Sequence, residues 1–318
     1  MKVILKVALS IVLLSLVARD LEWPAVWNSL SRLSWWALPL AIVLQVLTFL
    51  IGVFRWHMLL SLQGVPYSLV QLIRPYFIGA FFSNFLPSTT GGDAYRIYYV
   101  HSERHGPAAA FSPVITERIL GLATLLLIAS TGFAFYSGIN LTINQVGYTA
   151  ASFLLGLGLF LATLGIPVIY WPMHRFLERW IKFKLIAGFL QVGEAIHEYV
   201  KRPTLVMKII ILSGSMHFCM IILFWILGRG VGAAMPITSY VLTVPLILVA
   251  AGLPISIGGL GVREATAITL FSAVGMQEAN AAAIAILFVP ALLLACLPGL
   301  IFFHGGHARS GRSSQWHG

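Results

Sequence analysis

Two similar stretches of sequence, 167 residues apart, decide how this chain folds. Residues 86–96 read Leu-Pro-Ser-Thr-Thr-Gly-Gly-Asp-Ala-Tyr-Arg, and residues 253–263 read Leu-Pro-Ile-Ser-Ile-Gly-Gly-Leu-Gly-Val-Arg. Without a gap, the leucine, the proline, both glycines and the arginine coincide, and Thr89 faces Ser256. Each proline ends one helix, and each glycine pair lets the backbone turn before a second helix begins. The pattern predicts a duplicated segment that is broken into two half-helices in each copy.

The composition places these stretches in a lipid bilayer. Of 318 residues, 59% are hydrophobic and only 9% are charged, and the mean hydropathy is +0.91. A soluble globular chain carries about 25% charged residues. This difference excludes a soluble enzyme, a nucleic-acid-binding domain and a disordered chain. We predict a single integral membrane domain over residues 1–318, built entirely of α-helices, as a polytopic chain requires.

The apolar stretches around the two motifs predict about six full spans and two re-entrant broken-helix hairpins, or about eight hydrophobic segments. A first span covers residues 1–20, and a linking span covers residues 147–171. The remaining spans flank the two broken segments: 35–54 and 113–136 enclose 76–105, and 209–228 and 281–303 enclose 238–275. The same offset of 167 residues carries 35–54 onto 202–221 and 113–136 onto 280–303, which overlap the flanking spans of the second half. This agreement favours a duplication of residues 35–136 as residues 204–303.

Basic residues set the predicted orientation of the spans. The segment 173–203 carries Arg175, Arg179, Lys182, Lys184, Lys201 and Arg202, and the tail 304–318 carries Arg309 and Arg312. By the positive-inside rule both regions lie in the cytoplasm or at its membrane interface, as does the N-terminus. The first broken segment then opens to the cytoplasm and the second to the outside. The halves are therefore predicted to form an inverted repeat, an architecture typical of transporters in the cytoplasmic membrane of bacteria.

The restart points of the two broken helices predict a binding site for an anion. The second half-helices begin near Gly92 and near Gly261, and Arg96 and Arg263 lie in or just after their first turns. A helix N-terminus offers free N–H groups, and guanidinium groups bind phosphate with two hydrogen bonds. Candidate substrate-binding residues near the breaks are Asn84, Thr89, Gly91, Gly92, Asp93, Arg96, Glu117, Arg118, Ser256, Gly258, Gly259, Arg263 and Glu264.

A purely structural role for these residues stays open. Arg96 can pair with Asp93, and Arg263 with Glu264 or Glu117, which would lock the two halves together. Asp93 can cap its helix, and the neutral side chains can satisfy the broken backbone. We predict no catalytic residue, metal or cofactor: the two histidines of His304-Gly-Gly-His307 have no third ligand nearby, and His217 favours a hydrogen bond between helices.

Three motifs together resemble a known family. They are Asn84-Phe-Leu-Pro-Ser-Thr-Thr-Gly-Gly-Asp-Ala-Tyr-Arg96, Thr116-Glu-Arg-Ile-Leu-Gly121 and Leu253-Pro-Ile-Ser-Ile-Gly-Gly-Leu-Gly-Val-Arg-Glu264. The chain is similar, over essentially its whole length, to the flippase-like membrane domain of lysylphosphatidylglycerol synthases. The resemblance implies translocation of a lipid across the cytoplasmic membrane. We expect a stand-alone member without the soluble aminoacyl-transferase domain, and the resemblance leaves its lipid open.

Residues and resemblance together predict a lipid flippase that holds an anionic or modified headgroup between the two broken hairpins. The alternatives are a membrane-embedded enzyme that modifies lipids, with Asp93, Glu117 or Glu264 as acid or base, and a non-catalytic subunit of an envelope-lipid biosynthesis complex. The expected partners are membrane lipids with anionic headgroups, and no nucleic acid. The sequence leaves open an association with a lipid-synthesis enzyme and with a second copy of the chain.

Overall fold

In the part of the chain that the structure describes, every secondary-structure element is a helix. The computed structural model describes residues 2–85, 91–102, 105–135, 193–253 and 256–310. The predicted linking span at 147–171, most of the basic segment 173–203 and residues 311–318 of the tail lie outside these ranges. Residues 193–200, at the end of the basic segment, are helical.

Ten helices have both of their ends in the described part of the chain. They are α1 (Lys2–Asp20), α2 (Trp23–Ser31), α3 (Ala37–Leu62), α4 (Leu69–Phe85), α5 (Gly91–Ser102), α6 (Pro107–Phe135), α7 (Pro203–Gly230), α8 (Ile237–Gly252), α9 (Val262–Ala273) and α10 (Glu278–Ser310). Proline stands in the first turn of α2 and α7, where a helix has no use for its N–H.

Among the helices that the structure describes, four are long and apolar enough to cross a membrane: α3, α6, α7 and α10. They contain the predicted spans 35–54, 113–136, 209–228 and 281–303 to within two residues at every end, and each extends beyond its prediction at one end or both. The predicted first span, residues 1–20, is the helix α1, which is not one of the four. The helix α10 continues to Ser310, so the predicted tail begins as helix.

Both predicted broken segments contain two helices. In the first half α4 ends at Phe85 and α5 begins at Gly91. In the second half α8 ends at Gly252, and α9 begins at Val262 after an irregular stretch. Three glycines in that stretch, Gly258, Gly259 and Gly261, have φ angles of 55°, 78° and 83°. Only glycine adopts this left-handed region at little cost, so these glycines allow the turn between the half-helices.

The two halves interlock through helices that occupy corresponding places in the chain. The helices α3 and α7 pack against each other, α4 packs against α10, and α8 packs against α6. Within each half the second helix packs on the third, and the third on the fourth. The main core lies in the second half, where the ring of Phe224 stacks on Phe288 at 4.8 Å and Tyr240 approaches Phe271 at 5.3 Å.

Glycines allow the broken segments to come close. A Cβ atom added to Gly92 of α5 would overlap the carbonyl oxygen of Gly79 and the hydroxyl of Ser83, both on α4. A Cβ on Gly258 would lie 3.2 Å from the carbonyl oxygen of Asn84. The turn at Gly258 in the second half therefore lies against the end of α4 in the first half.

Candidate functional site

A cavity of about 860 Å³ lies between the two halves. The helices α3, α4, α5 and α6 of the first half line it, together with α7 and the end of α8. Its polar lining consists of Arg55, Tyr76, Ser83, Asn84, Asp93, Arg96, Glu117, Arg118 and His217. Its apolar lining includes Phe49, Leu122, Leu125, Leu126, Met216, Leu246, Leu248, Val249 and Leu253. The cavity thus combines a charged cluster with an extensive apolar wall.

Glu117 of α6 is the centre of the charged cluster. Only 3% of its side chain is exposed, and two arginines donate to it. Arg96 of α5 donates from Nη2 to Oε2 at 2.6 Å, and Arg55 of α3 donates from Nε to Oε1 at 3.3 Å. Arg55 also donates from Nη1 to the hydroxyl of Ser213 on α7 at 2.8 Å. One carboxylate therefore joins four helices from both halves of the chain.

The guanidinium of Arg96 is enclosed by aromatic rings and carboxylates. It lies 4.4 Å from the ring centre of Trp56 and 4.7 Å from that of Tyr76, both distances typical of cation–π contacts. Its Nη1 is 3.7 Å from Oδ1 of Asp93, and its buried Nε has no hydrogen-bond partner. Arg96 is thus held from three sides while one donor stays unused.

Asp93 and Arg118 form the accessible part of the cluster. Arg118 of α6 donates to Oδ2 of Asp93 from Nη2 at 2.6 Å and from Nε at 2.8 Å. The side chain of Arg118 is 61% exposed, whereas that of Asp93 is 11% exposed. Glu117 and Arg118 are neighbours in sequence, so successive positions of one helix bury one charge and expose the other.

Counted over the described residues, the cluster has an excess of one positive charge, because three arginines, Arg55, Arg96 and Arg118, face two carboxylates, Asp93 and Glu117. A charge at the centre of a bilayer costs roughly 2.5–3.5 kcal/mol on insertion scales, and buried pairs recover that cost only with good geometry. The arrangement therefore suits a ligand that brings one negative charge. An apolar group on the same ligand would lie against the leucine-rich wall.

The second broken segment does not bring its charges to this cavity. Arg263 donates to Oε1 of Glu264 from Nη2 at 2.6 Å and from Nε at 3.0 Å, and its guanidinium lies 4.7 Å from the ring of Phe288. The other oxygen of Glu264 accepts the N–H of Gly261 at 2.6 Å. Glu264 thus occupies the start of α9 and neutralises the arginine. The expected convergence of two guanidiniums and two helix N-termini is absent from this cavity.

The structure divides the predicted site residues into three groups. Asn84, Gly92, Asp93, Arg96, Glu117 and Arg118 line the cavity. Gly91, Ser256, Gly258, Gly259, Arg263 and Glu264 are described but are not among its lining residues. Thr89 lies outside the described residues. In the second group, Ser256 is fully buried and its hydroxyl has no hydrogen-bond partner.

Both structural alternatives for the arginines also describe real contacts. Arg96 is close to Asp93, although its shorter contact is with Glu117, and Arg263 pairs with Glu264. His217 makes the expected contact between helices, with Nε2 3.1 Å from the carbonyl oxygen of Gly121.

Sequence reasoning missed several residues of the site, above all Arg55. The prediction ended a span at Phe54 and left Arg55 at its far end, whereas α3 continues to Leu62 and buries Arg55. The longer helix could have been predicted, because most residues from Trp56 to Leu62 are apolar and continue the apolar run past the charge. No sequence signal marks Tyr76 and Ser213 as site residues, since uncharged polar residues are common in spans.

Comparison with known proteins identifies the family of this chain. The family model described as the lysylphosphatidylglycerol synthase TM region matches residues 3–300. Over 270 residues the chain is 23% identical to the UPF0104 membrane protein MJ1595 of Methanocaldococcus jannaschii, covering 78% of each chain. With its apolar helices, the chain is a multi-pass membrane protein, and it belongs to the family of the lysylphosphatidylglycerol synthase TM region.

Proposed function

We propose that this protein is a lipid transporter that moves an anionic or modified phospholipid across the cytoplasmic membrane. The observation that carries the proposal is the cavity of about 860 Å³, in which a charged cluster adjoins a leucine-rich wall. A phospholipid has the same division, with a charged phosphate beside apolar chains. Membership of a family named for a phospholipid synthase supports a lipid as the ligand.

The charge of the cluster supports a phosphate as the group that it binds. Three arginines and two carboxylates leave one positive charge, and a phosphodiester brings one negative charge. Arginine suits this task because its planar guanidinium donates two parallel hydrogen bonds to phosphate oxygens. In this proposal the headgroup lies between α4, α5 and α6 on one side and the end of α8, at Gly252 and Leu253, on the other.

We further propose that the two halves form an inverted repeat in which each broken segment re-enters the membrane. Corresponding helices begin at similar offsets: Ala37 and Pro203, Leu69 and Ile237, Gly91 and Val262, Pro107 and Glu278. The exchanged packing of α4 with α10 and of α8 with α6 supports the same symmetry. In transporters of this kind, one half moves against the other around a central site.

Labelling of single cysteines tests this topology in a background without Cys219 and Cys296. With both chain ends in the cytoplasm, we expect Val70→Cys and Ser102→Cys to react from the cytoplasm, and Ile237→Cys and Gln277→Cys to react from the outside. All four positions are exposed. Labelling of the two ends of one broken segment from opposite sides of the membrane would contradict re-entry.

Ion pairing favours a transporter over the enzyme that the sequence left open. Glu117 accepts from two arginines, and Asp93 accepts from Arg118 and lies close to Arg96. A general acid or base has to reach its substrate, whereas arginines already occupy the oxygens of both carboxylates. In this proposal the partners are membrane lipids; a lipid-synthesis enzyme or a second copy of the chain would associate from outside the cavity.

The test is lipid movement in proteoliposomes. Fluorescent phosphatidylglycerol and phosphatidylethanolamine would be followed from one leaflet to the other with wild type, Arg96→Gln and Arg118→Gln. Arg229→Gln is the matched control, because Arg229 is exposed and is not among the residues that line the cavity. We expect protein-dependent movement that both cavity variants slow at least tenfold and that the control leaves unchanged. Movement that is equally fast in all folded variants would contradict the proposed site.

A further inference from the structure

We infer that Asp93 competes with the phosphate of the lipid for Arg118, and thereby sets which headgroups the cavity accepts. This inference rests on the proposed function, since it assigns roles within the same cavity. In the structure, Arg118 donates twice to Asp93. When a phosphodiester enters, Arg118 turns from the carboxylate to the phosphate. Arg118 touches the ligand, and Asp93 is a positioning residue that acts through it.

Exposure identifies Arg118 as the arginine that can exchange partners. Of the three arginines in the cluster, Arg55 and Arg96 have side chains that are 9% and 8% exposed, whereas that of Arg118 is 61% exposed. Arg55 and Arg96 both donate to Glu117, which is buried, so losing either contact would leave an uncompensated charge in the protein. The exposed Arg118 can change partner without breaking the buried contacts of Glu117.

Asp93 does not lose all its partners when Arg118 leaves. Its Oδ1 lies 3.7 Å from Nη1 of Arg96, beyond hydrogen-bond distance but close enough for attraction between the charges. A small shift of either side chain would convert this contact into a hydrogen bond. The cluster therefore has a second arrangement ready, in which Asp93 pairs with Arg96 and Arg118 pairs with the ligand.

This exchange predicts a preference among headgroups. After Arg118 has turned away, Asp93 places a negative charge beside the phosphate, which opposes a headgroup without a positive group. An ammonium group on the same headgroup would instead pair with Asp93. Removing the charge of Asp93 therefore favours purely anionic lipids over zwitterionic ones.

The test measures binding of dioctanoyl phosphatidylglycerol and dioctanoyl phosphatidylethanolamine to the full-length protein in detergent, by titration calorimetry. The variants are Asp93→Asn, Arg118→Gln and the double variant. Glu198→Gln is the control, because Glu198 also pairs with a nearby basic residue, Lys201, but is exposed and does not line the cavity. Binding is compared only among variants whose folding is verified by circular dichroism and by elution as a single species.

We expect Asp93→Asn to bind phosphatidylglycerol about fivefold more tightly, the effect of losing one ion-pair competitor for the exposed Arg118. The ratio of phosphatidylglycerol to phosphatidylethanolamine affinity should rise with it. Arg118→Gln should weaken binding of phosphatidylglycerol. In that background, Asp93→Asn should change the affinity less than twofold, because the competition requires Arg118.

The inference would be overturned by a fivefold effect of Asp93→Asn that persists in the Arg118→Gln background, or by the same effect from Glu198→Gln. A further arm uses glycerophosphoglycerol, which is the same headgroup without acyl chains. We expect it to bind much more weakly than the lipid. If it binds as tightly and with the same dependence on both residues, the exchange stands while the lipid as ligand fails. Lipid movement without any coupling between Asp93 and Arg118 supports the transporter and refutes the exchange.

Discussion

Replacement of Glu117 by glutamine should destabilise the protein more than any other single change in the charged cluster. The carboxylate is 3% exposed and accepts from Arg96 at 2.6 Å and from Arg55 at 3.3 Å. Breaking a buried ion pair from one side costs about 3–5 kcal/mol, because the remaining charge is left without compensation. Here two arginines lose their common partner.

Other contacts reduce this cost toward the lower end of that range. Arg55 keeps its hydrogen bond to Ser213 at 2.8 Å, and Arg96 keeps Asp93 at 3.7 Å. Arg96 also keeps the ring of Trp56 at 4.4 Å. We therefore expect Glu117→Gln to lower the free energy of unfolding by about 3 kcal/mol. The exposed pair of Glu198 with Lys201 provides the control, because Glu198→Gln should change it by less than about 1 kcal/mol.

The measurement is reversible unfolding in mixed micelles with increasing denaturing detergent, followed by circular dichroism. The double variant Glu117→Gln with Arg55→Gln should recover at least about 1 kcal/mol relative to Glu117→Gln alone, since it removes one of the two unpaired charges. Equal stability of Glu117→Gln and wild type would refute the reasoning. So would a double variant whose loss equals the sum of the two single losses, because the charges would then be independent.

Two further changes probe the packing and the apolar wall, each beside a matched control. Gly92→Ala should lower stability by about 1–3 kcal/mol in the same unfolding assay, because the new methyl group meets the carbonyl oxygen of Gly79, whereas Gly106→Ala, with open space around it, should be neutral. Leu122→Trp should slow lipid movement in proteoliposomes several-fold by filling the cavity, whereas Leu127→Trp, on an exposed position outside the lining, should leave the rate unchanged. Normal transport by Leu122→Trp would show that the lipid does not pass along this apolar wall.

The sequence predicted the helical elements well because their determinants are local. Long apolar runs require helices in a bilayer, and a proline followed by two glycines interrupts them. Both broken segments therefore appear close to their predicted places, as α4 with α5 and as α8 with α9. The family resemblance, which rested on motifs at these same breaks, is confirmed.

The pairing of charges was much harder to predict because partners come from distant parts of the chain. Arg55 and Glu117 are 62 residues apart, and no local pattern connects them. The similarity of Arg96 and Arg263 suggested equivalent roles, but their neighbours differ. Glu264 follows Arg263 directly and neutralises it, whereas Arg96 has to find Glu117 on another helix. Similar motifs thus led to one arginine that pairs across helices and one that pairs with its neighbour in sequence.

The distribution of these charges along the chain has a consequence for how the protein is made. The helix α3 carries Arg55 into the membrane before the ribosome has synthesised Glu117, its carboxylate partner. An unpaired charge within a span is costly on insertion, so α3 gains its full stability in lipid only after α6 arrives. Arg263 and Glu264, by contrast, are synthesised together and pair within one turn of helix. The first half therefore completes its charge pairing only when α6 emerges, while the second half carries its own counter-ion.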